Sequence, residues 1–159
     1  MKQNFAAIIL GGTGQVGGAA VAELLALPEC REVVMVTRKA IAVRSRVRNV
    51  VLDTGASDFA ERTAALGREV LSQGPASAVS CVGVGSGSRR WSEEELQRLE
   101  LGVVGAFARG CHDAGIAQFC LLSAAPRDQG AGRAPDTLLP CRPRREEKGF
   151  RRDLVSCQR

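Results

Sequence analysis

The chain has no tyrosine, one tryptophan, one histidine and two methionines among 159 residues, and aromatics make up only 4% of it. Each scarcity closes a route. A single histidine, His112, excludes a His-rich metal site. So few aromatics exclude a platform in which aromatic and basic side chains alternate along a single nucleic-acid strand. No apolar run approaches the roughly eighteen residues of a membrane span, so no membrane is expected as a partner. Without tyrosine, no phenol is available as a general acid.

The six cysteines, Cys30, Cys81, Cys111, Cys120, Cys141 and Cys157, contain no Cys-x-x-Cys pair and no dense framework, and read as reduced thiols. Cys81 and Cys120 lie in apolar, strand-like runs and are expected to pack as small hydrophobes. Cys111 stands beside His112, but sequence neighbours on a helix do not face each other, so packing outweighs a catalytic pair.

The formal charge of +5 is unevenly placed. Residues 1–125 carry 13 Lys/Arg against 12 Asp/Glu, a net of +1, and residues 126–159 carry 9 against 5, a net of +4. The basicity belongs to the tail, and nucleic acid is not the expected partner. The length suits one domain with one sizeable core. The N-terminus enters the first strand with no signal-peptide layout, which leads to the expectation of an intracellular, cytoplasmic protein.

What is abundant is glycine, 18 residues, and it is concentrated where it carries chemistry. Phe5 to Leu10 is a continuous apolar run of strand length. Gly11-Gly12-Thr13-Gly14-Gln15-Val16-Gly17 follows, and then Val16, Ala20, Leu24 and Leu27 repeat at helical spacing. A strand that turns through glycines into a helix presents backbone N–H groups at the positive end of the helix dipole, a cradle for a pyrophosphate. Side chains at Gly11, Gly14 and Gly17 would obstruct, in that order, the turn, the approach of phosphates and the packing of helix on strand. A phosphate-loop ATPase is excluded, because Gly17 is followed by Gly18 and Ala19 rather than by Lys and Ser or Thr.

Further strand signals lie at Val33–Thr37, Asn49–Leu52, Ser77–Val82 and Gln118–Leu122. Helical patterns cover about Val16–Leu27, Asp58–Leu71 and Ser92–Ala114. The last opens with a capping box, Ser92 with Glu95, and carries Leu96, Leu99, Val103 and Phe107 as a packing stripe. The order β-α-β-β-α-β-α-β predicts an α/β, doubly wound parallel sheet ordered 3-2-1-4-5, with a ligand crevice between strands one and four. From Pro126 the pattern ends in an irregular basic tail that holds four of the six prolines. The expected division is therefore a dinucleotide-binding domain over 1–125 and a poorly ordered tail over 126–159.

At the end of the second strand stands Arg38, where enzymes selecting NAD usually place an acid. A guanidinium there favours the 2′-phosphate of NADP(H). Asp53 has two readings of equal weight, an acceptor for the adenine amino group or the start of a turn with Gly55. Val82 and Gly83, ending the fourth strand, would let backbone pass close to the ribose and nicotinamide.

Together Gly11-Gly12-Thr13-Gly14-Gln15-Val16-Gly17, Val36-Thr37-Arg38, Ser80-Cys81-Val82-Gly83 and Phe119-Cys120-Leu121-Leu122-Ser123 resemble the NmrA-like, Tat-interactive-protein type of atypical short-chain dehydrogenase/reductase, over residues 5–125. The resemblance implies a Rossmann fold, NADPH as cofactor, and Ser123 as hydrogen-bond donor to a substrate carbonyl. It also implies a Tyr-x-x-x-Lys pair that moves the proton and holds the ribose. Lys148-Gly149 is similar to the family's Lys-Gly, but Arg144 stands four residues earlier and is no exchangeable acid near neutral pH. The departure begins after Ala125, as in a truncated, alternatively spliced or frame-shifted product. The expectation is an NADP(H)-binding protein impaired in hydride transfer. The alternative is an NADPH-sensing regulatory or scaffold protein with a protein partner, and a reductase with another proton donor ranks third.

Overall fold

The computed structural model describes residues 4–83 and 91–122, together with the backbone of Leu154–Cys157. The elements run β1 (Phe5–Leu10), α1 (Gln15–Ala26), β2 (Cys30–Thr37), β3 (Val47–Val51), α2 (Phe59–Ser72) and β4 (Ala76–Ser80). Then follow α3 (Glu93–Gln97), a π-helical turn (Arg98–Val104), α4 (Gly105–Ala114), β5 (Gln118–Leu122) and β6 (Leu154–Cys157). The sheet is ordered β3-β2-β1-β4-β5-β6. Its first five strands are parallel, in the predicted order 3-2-1-4-5, and β6 adds antiparallel to β5.

β1 is central and is covered on both faces, which is why Ala6 to Leu10 are all buried and read as an unbroken apolar run. On one face Ile8, Leu10, Val34 and Val36 pack beneath Phe59 and Val70 of α2 and Phe107 of α4. On the other, Ile9, Val33 and Met35 meet Val21 of α1. α2 and α4 approach closely because Gly110 has no side chain: a Cβ there would overlap the Ala60 carbonyl oxygen and the Thr63 side chain. A Cβ on Gly67 would come within 2.5 Å of the Ala114 Cβ.

The helix ends are explicit. Ser92 Oγ accepts the Glu95 N–H at 3.2 Å while the Glu95 carboxylate accepts the Ser92 N–H at 2.8 Å, so the capping box forms as predicted. The Glu95 carboxylate accepts from the Ser92 N–H and also from the Ser92 hydroxyl at 3.1 Å, and these two bonds, the backbone one first, hold it below its ordinary value. α4 ends at Gly115, whose φ of +90° suits glycine. The carboxyl end of α1 is met by the guanidinium of Arg46, which donates to the carbonyls of Leu25, Leu27 and Cys30.

β3 begins at Val47 rather than Asn49, and β4 runs Ala76–Ser80, so Val82 and Gly83 follow that strand rather than end it. Two further expectations change. The segment read as one helix from Ser92 to Ala114 is three pieces, because the π turn inserts an extra residue per turn. The insertion leaves Leu101 70% exposed and turns Val104 inward with Phe107. β2 begins at Cys30 rather than Val33. Arg31 and Glu32 look like loop residues, but Arg31 donates to the carbonyls of Val70 and Pro75 and Glu32 pairs with Arg48 at 3.6 Å. In the tail, Leu154–Cys157 forms β6. The expectations for residues 123–153 otherwise lie outside the described residues.

Candidate cofactor site

All five parallel strands end at one edge of the sheet. The order reverses at β1, with β2 and β3 to one side and β4 and β5 to the other, so the crevice opens between the ends of β1 and β4. The glycine turn lies there. Gly11 has φ +82°, and a Cβ on it would stand 2.9 Å from the backbone of Cys81 and Val82 as they leave β4. The Cys81 N–H donates to the Leu10 carbonyl at 2.8 Å, so strand exit and turn are locked together. Gly12 is buried, and a Cβ there would meet the Met35 side chain at 2.8 Å. A Cβ on Gly17 would overlap the Gly11 carbonyl oxygen.

Gly14 differs from these. It is exposed, it is the N-cap of α1, and a Cβ on it would meet only the Gly11 oxygen at 3.5 Å. No side chain caps α1 and its first turn holds no acidic residue, so the helix's positive end stays free for an anion. Thr13 and Gln15 are exposed beside it and Val16 is half-buried. The turn therefore has the features of a phosphate cradle: close backbone packing behind, and in front the open start of a helix that no side chain caps.

Arg38 and Lys39 follow β2 on the same edge, both exposed, and neither side chain has an ion-pair partner among the described residues. Asp53 follows β3. Its Oδ1 accepts the Gly55 N–H at 2.9 Å, so the turn reading is realised, on an exposed carboxylate. Val82 packs half-buried against the core, and Gly83 is exposed with open space where a Cβ would stand. Beyond the Asp53 turn, a cleft of about 540 Å³ separates Thr54–Ser57 from the π turn, with Trp91, Arg98 and Arg109 on its walls. Ser123, Arg144 and Lys148 lie outside the described residues.

Cys30, Cys81 and Cys111 are buried packing groups. Cys111 is 1% exposed, and burial pushes its thiol up to about 12. Burial likewise raises Cys30 and Cys81. His112 points away to solvent, 3.3 Å from Asp113, and forms no pair with Cys111. Among the described residues no group of three or more His, Cys, Asp or Glu is placed to hold a metal, and no helix is long and apolar enough to cross a membrane.

Asn49 is the polar residue the sequence reading passed over. Its carboxamide donates to the Met35 carbonyl at 3.2 Å and to Thr37 Oγ1 at 2.7 Å, and accepts the Ile41 N–H at 3.1 Å. Little in the sequence signals it, since Asn49 reads as the first residue of its strand and stands in mid-strand only because β3 begins at Val47.

The architecture is the doubly wound, Rossmann-type α/β fold. Among solved structures it is similar to the oxidoreductase ylbE from Lactococcus lactis, with a TM-score of 0.50 and 20% identity over 74% of this chain and 48% of that one. It is similar also to a short-chain dehydrogenase from Leptospira borgpetersenii with bound NAD+, with a TM-score of 0.51 and 19% identity over 69% of this chain and 45% of that one. A short-chain dehydrogenase/reductase double mutant from Serratia marcescens gives 0.50 and 20%, over 72% and 52%. The chain spans about half the length of the structures it matches. No family model and no curated protein matches the sequence.

Proposed function

We propose that the chain is an NADP(H)-binding Rossmann protein, related to the NmrA-like oxidoreductases, in which hydride-transfer chemistry is impaired. The observation that carries this reading is the turn from Gly11 to Gly17, packed backbone to backbone against the exit of β4, with the uncapped start of α1 open in front of it. Gly12, Thr13, Gln15 and Val16 would hold the pyrophosphate through main-chain donors, while Gly14, whose N–H goes to the Gly11 carbonyl at 3.1 Å, would leave room for its approach. Arg38 would fork onto the 2′-phosphate and stack on the adenine, and the free Asp53 oxygen would accept from the adenine amino group. Val82 and Gly83 would line the path toward the nicotinamide. Residues 1–125 are the nucleotide-binding unit of this proposal.

When bound, the nicotinamide supplies a hydride, and the chain must supply a proton and a polarised carbonyl. Ser123 can donate a hydrogen bond to that carbonyl. The 159 residues hold no tyrosine, and neither Arg144 nor Lys148 replaces a phenol as acid near pH 7. General acid catalysis contributes about two to four orders of magnitude, so turnover falls by that factor while binding survives. The test is NADPH oxidation at saturating cofactor with a panel of carbonyl and quinone substrates. Rates at background are expected. Robust oxidation that Ser123→Ala abolishes and Lys148→Ala leaves intact would contradict the proposal.

A further inference from the structure

We propose that Asn49 is a positioning residue for nucleotide selectivity: by tying Met35, Thr37 and Ile41 together, its carboxamide fixes the turn on which Arg38 stands. The inference rests on the NADP(H) reading and deepens it.

A guanidinium discriminates a 2′-phosphate from a 2′-hydroxyl only if its backbone is held where the fork can meet the phosphate. Arg38, Lys39 and Ala40 are all exposed, and no packing of their own holds them. The restraint comes from behind. Asn49 lies opposite Met35 in the β2–β3 register and spends three of its hydrogen-bonding capacities on one short stretch of chain. Thr37 Oγ1 accepts from Asn49 and itself donates to the Lys39 carbonyl at 2.7 Å. The residues on both sides of Arg38 are thus joined through one hydroxyl to one amide, and Ile41 closes the far end. The same strand residue that Asn49 grips, Met35, reaches the glycine turn, where its methyl group occupies the space a Cβ on Gly12 would need. Arg48, next to Asn49 in β3, is engaged elsewhere, with Glu32 and Glu69. The brace is therefore specific to Asn49.

The experiment measures dissociation constants for NADPH and NADH, with thermal stability, on the full chain carrying Asn49→Leu, Thr37→Val or Thr37→Ser, each with and without Arg38→Ala. Asn49→Leu and Thr37→Val are expected to weaken NADPH binding by about tenfold, the equivalent of one or two net hydrogen bonds, and to leave NADH within about twofold. Thr37→Ser keeps the hydroxyl and should retain selectivity. In the Arg38→Ala background the loss should vanish, because the brace acts only through Arg38. Unchanged selectivity in a folded Asn49→Leu or Thr37→Val chain overturns the proposal, as does a loss that persists without Arg38. A wild-type chain that binds the two cofactors equally overturns instead the assignment of Arg38, and this inference with it. If Asn49→Leu does not fold, the Thr37 pair decides.

Discussion

At the glycine turn, two residues three apart answer to different constraints. A Cβ on Gly17 would overlap the Gly11 carbonyl, whereas one on Gly14 makes an ordinary contact at 3.5 Å. Gly17→Ala is therefore expected to cost about 1–3 kcal/mol of stability by overpacking, read as a lower denaturant midpoint. Gly14→Val should keep the midpoint near that of the unmodified chain and abolish NADPH binding, because the branched side chain stands in the pyrophosphate's approach. Retained affinity in Gly14→Val would place the cradle elsewhere. Cys111 offers a second test at this scale. Its ordinary value is 9.0 and burial pushes it to about 12. The unfolded chain loses this proton near pH 9 while the folded chain keeps it, so the stabilisation is intact below pH 9 and is lost as pH rises toward 12. Between about pH 8 and pH 10 the wild type should lose roughly 1 kcal/mol more than Cys111→Val, in paired denaturant titrations. Equal losses would contradict the burial assigned to this thiol. The glycines were legible in the sequence because their constraint is local. Asn49 was not, because its partners stand 8 to 14 residues away and meet it only once β2 pairs with β3.

At the scale of elements, the pattern of apolar runs located every strand of the parallel sheet: β1 and most of β2 are buried and continuous, as central parallel strands are, while β3 and β5 are short, half-buried apolar stretches. It misjudged the start of β2, where the charges of Arg31 and Glu32 are absorbed by the end of α2 and by Arg48. It also missed the π turn, because Leu96, Leu99, Val103 and Phe107 keep a helical spacing whether or not a residue is inserted. The close contact of α2 and α4 depends on small residues at the crossing. Gly110→Ala should cost about 1–3 kcal/mol, since its methyl would meet the Ala60 carbonyl and Thr63. Gly102→Ala should cost less than about 0.5 kcal/mol or stabilise, because nothing lies within 4 Å of that site. Equal effects of the two substitutions in denaturant midpoints would refute the packing described.

For the whole molecule, the crossover rule gave the strand order from the alternation of elements alone, and with it the place of the crevice. Four residues of β6 were hidden in a tail whose prolines and charges dominate its composition, although Leu154–Cys157 finds a partner in the outer edge of β5. In the proposed site, the near neutrality of residues 1–125 would make Arg38 a local rather than a global attraction for the extra phosphate of NADP(H). The central claim is that this edge of the sheet is a dinucleotide site tuned to that phosphate. Equilibrium titration of the full chain with NADPH and NADH, followed by nicotinamide fluorescence and repeated on Arg38→Asp, tests it most directly. Saturable binding of NADPH, tighter than NADH by about tenfold or more and inverted or equalised by the substitution, is the expected result. Absence of saturation, or equal affinities in the unmodified chain, would contradict the claim.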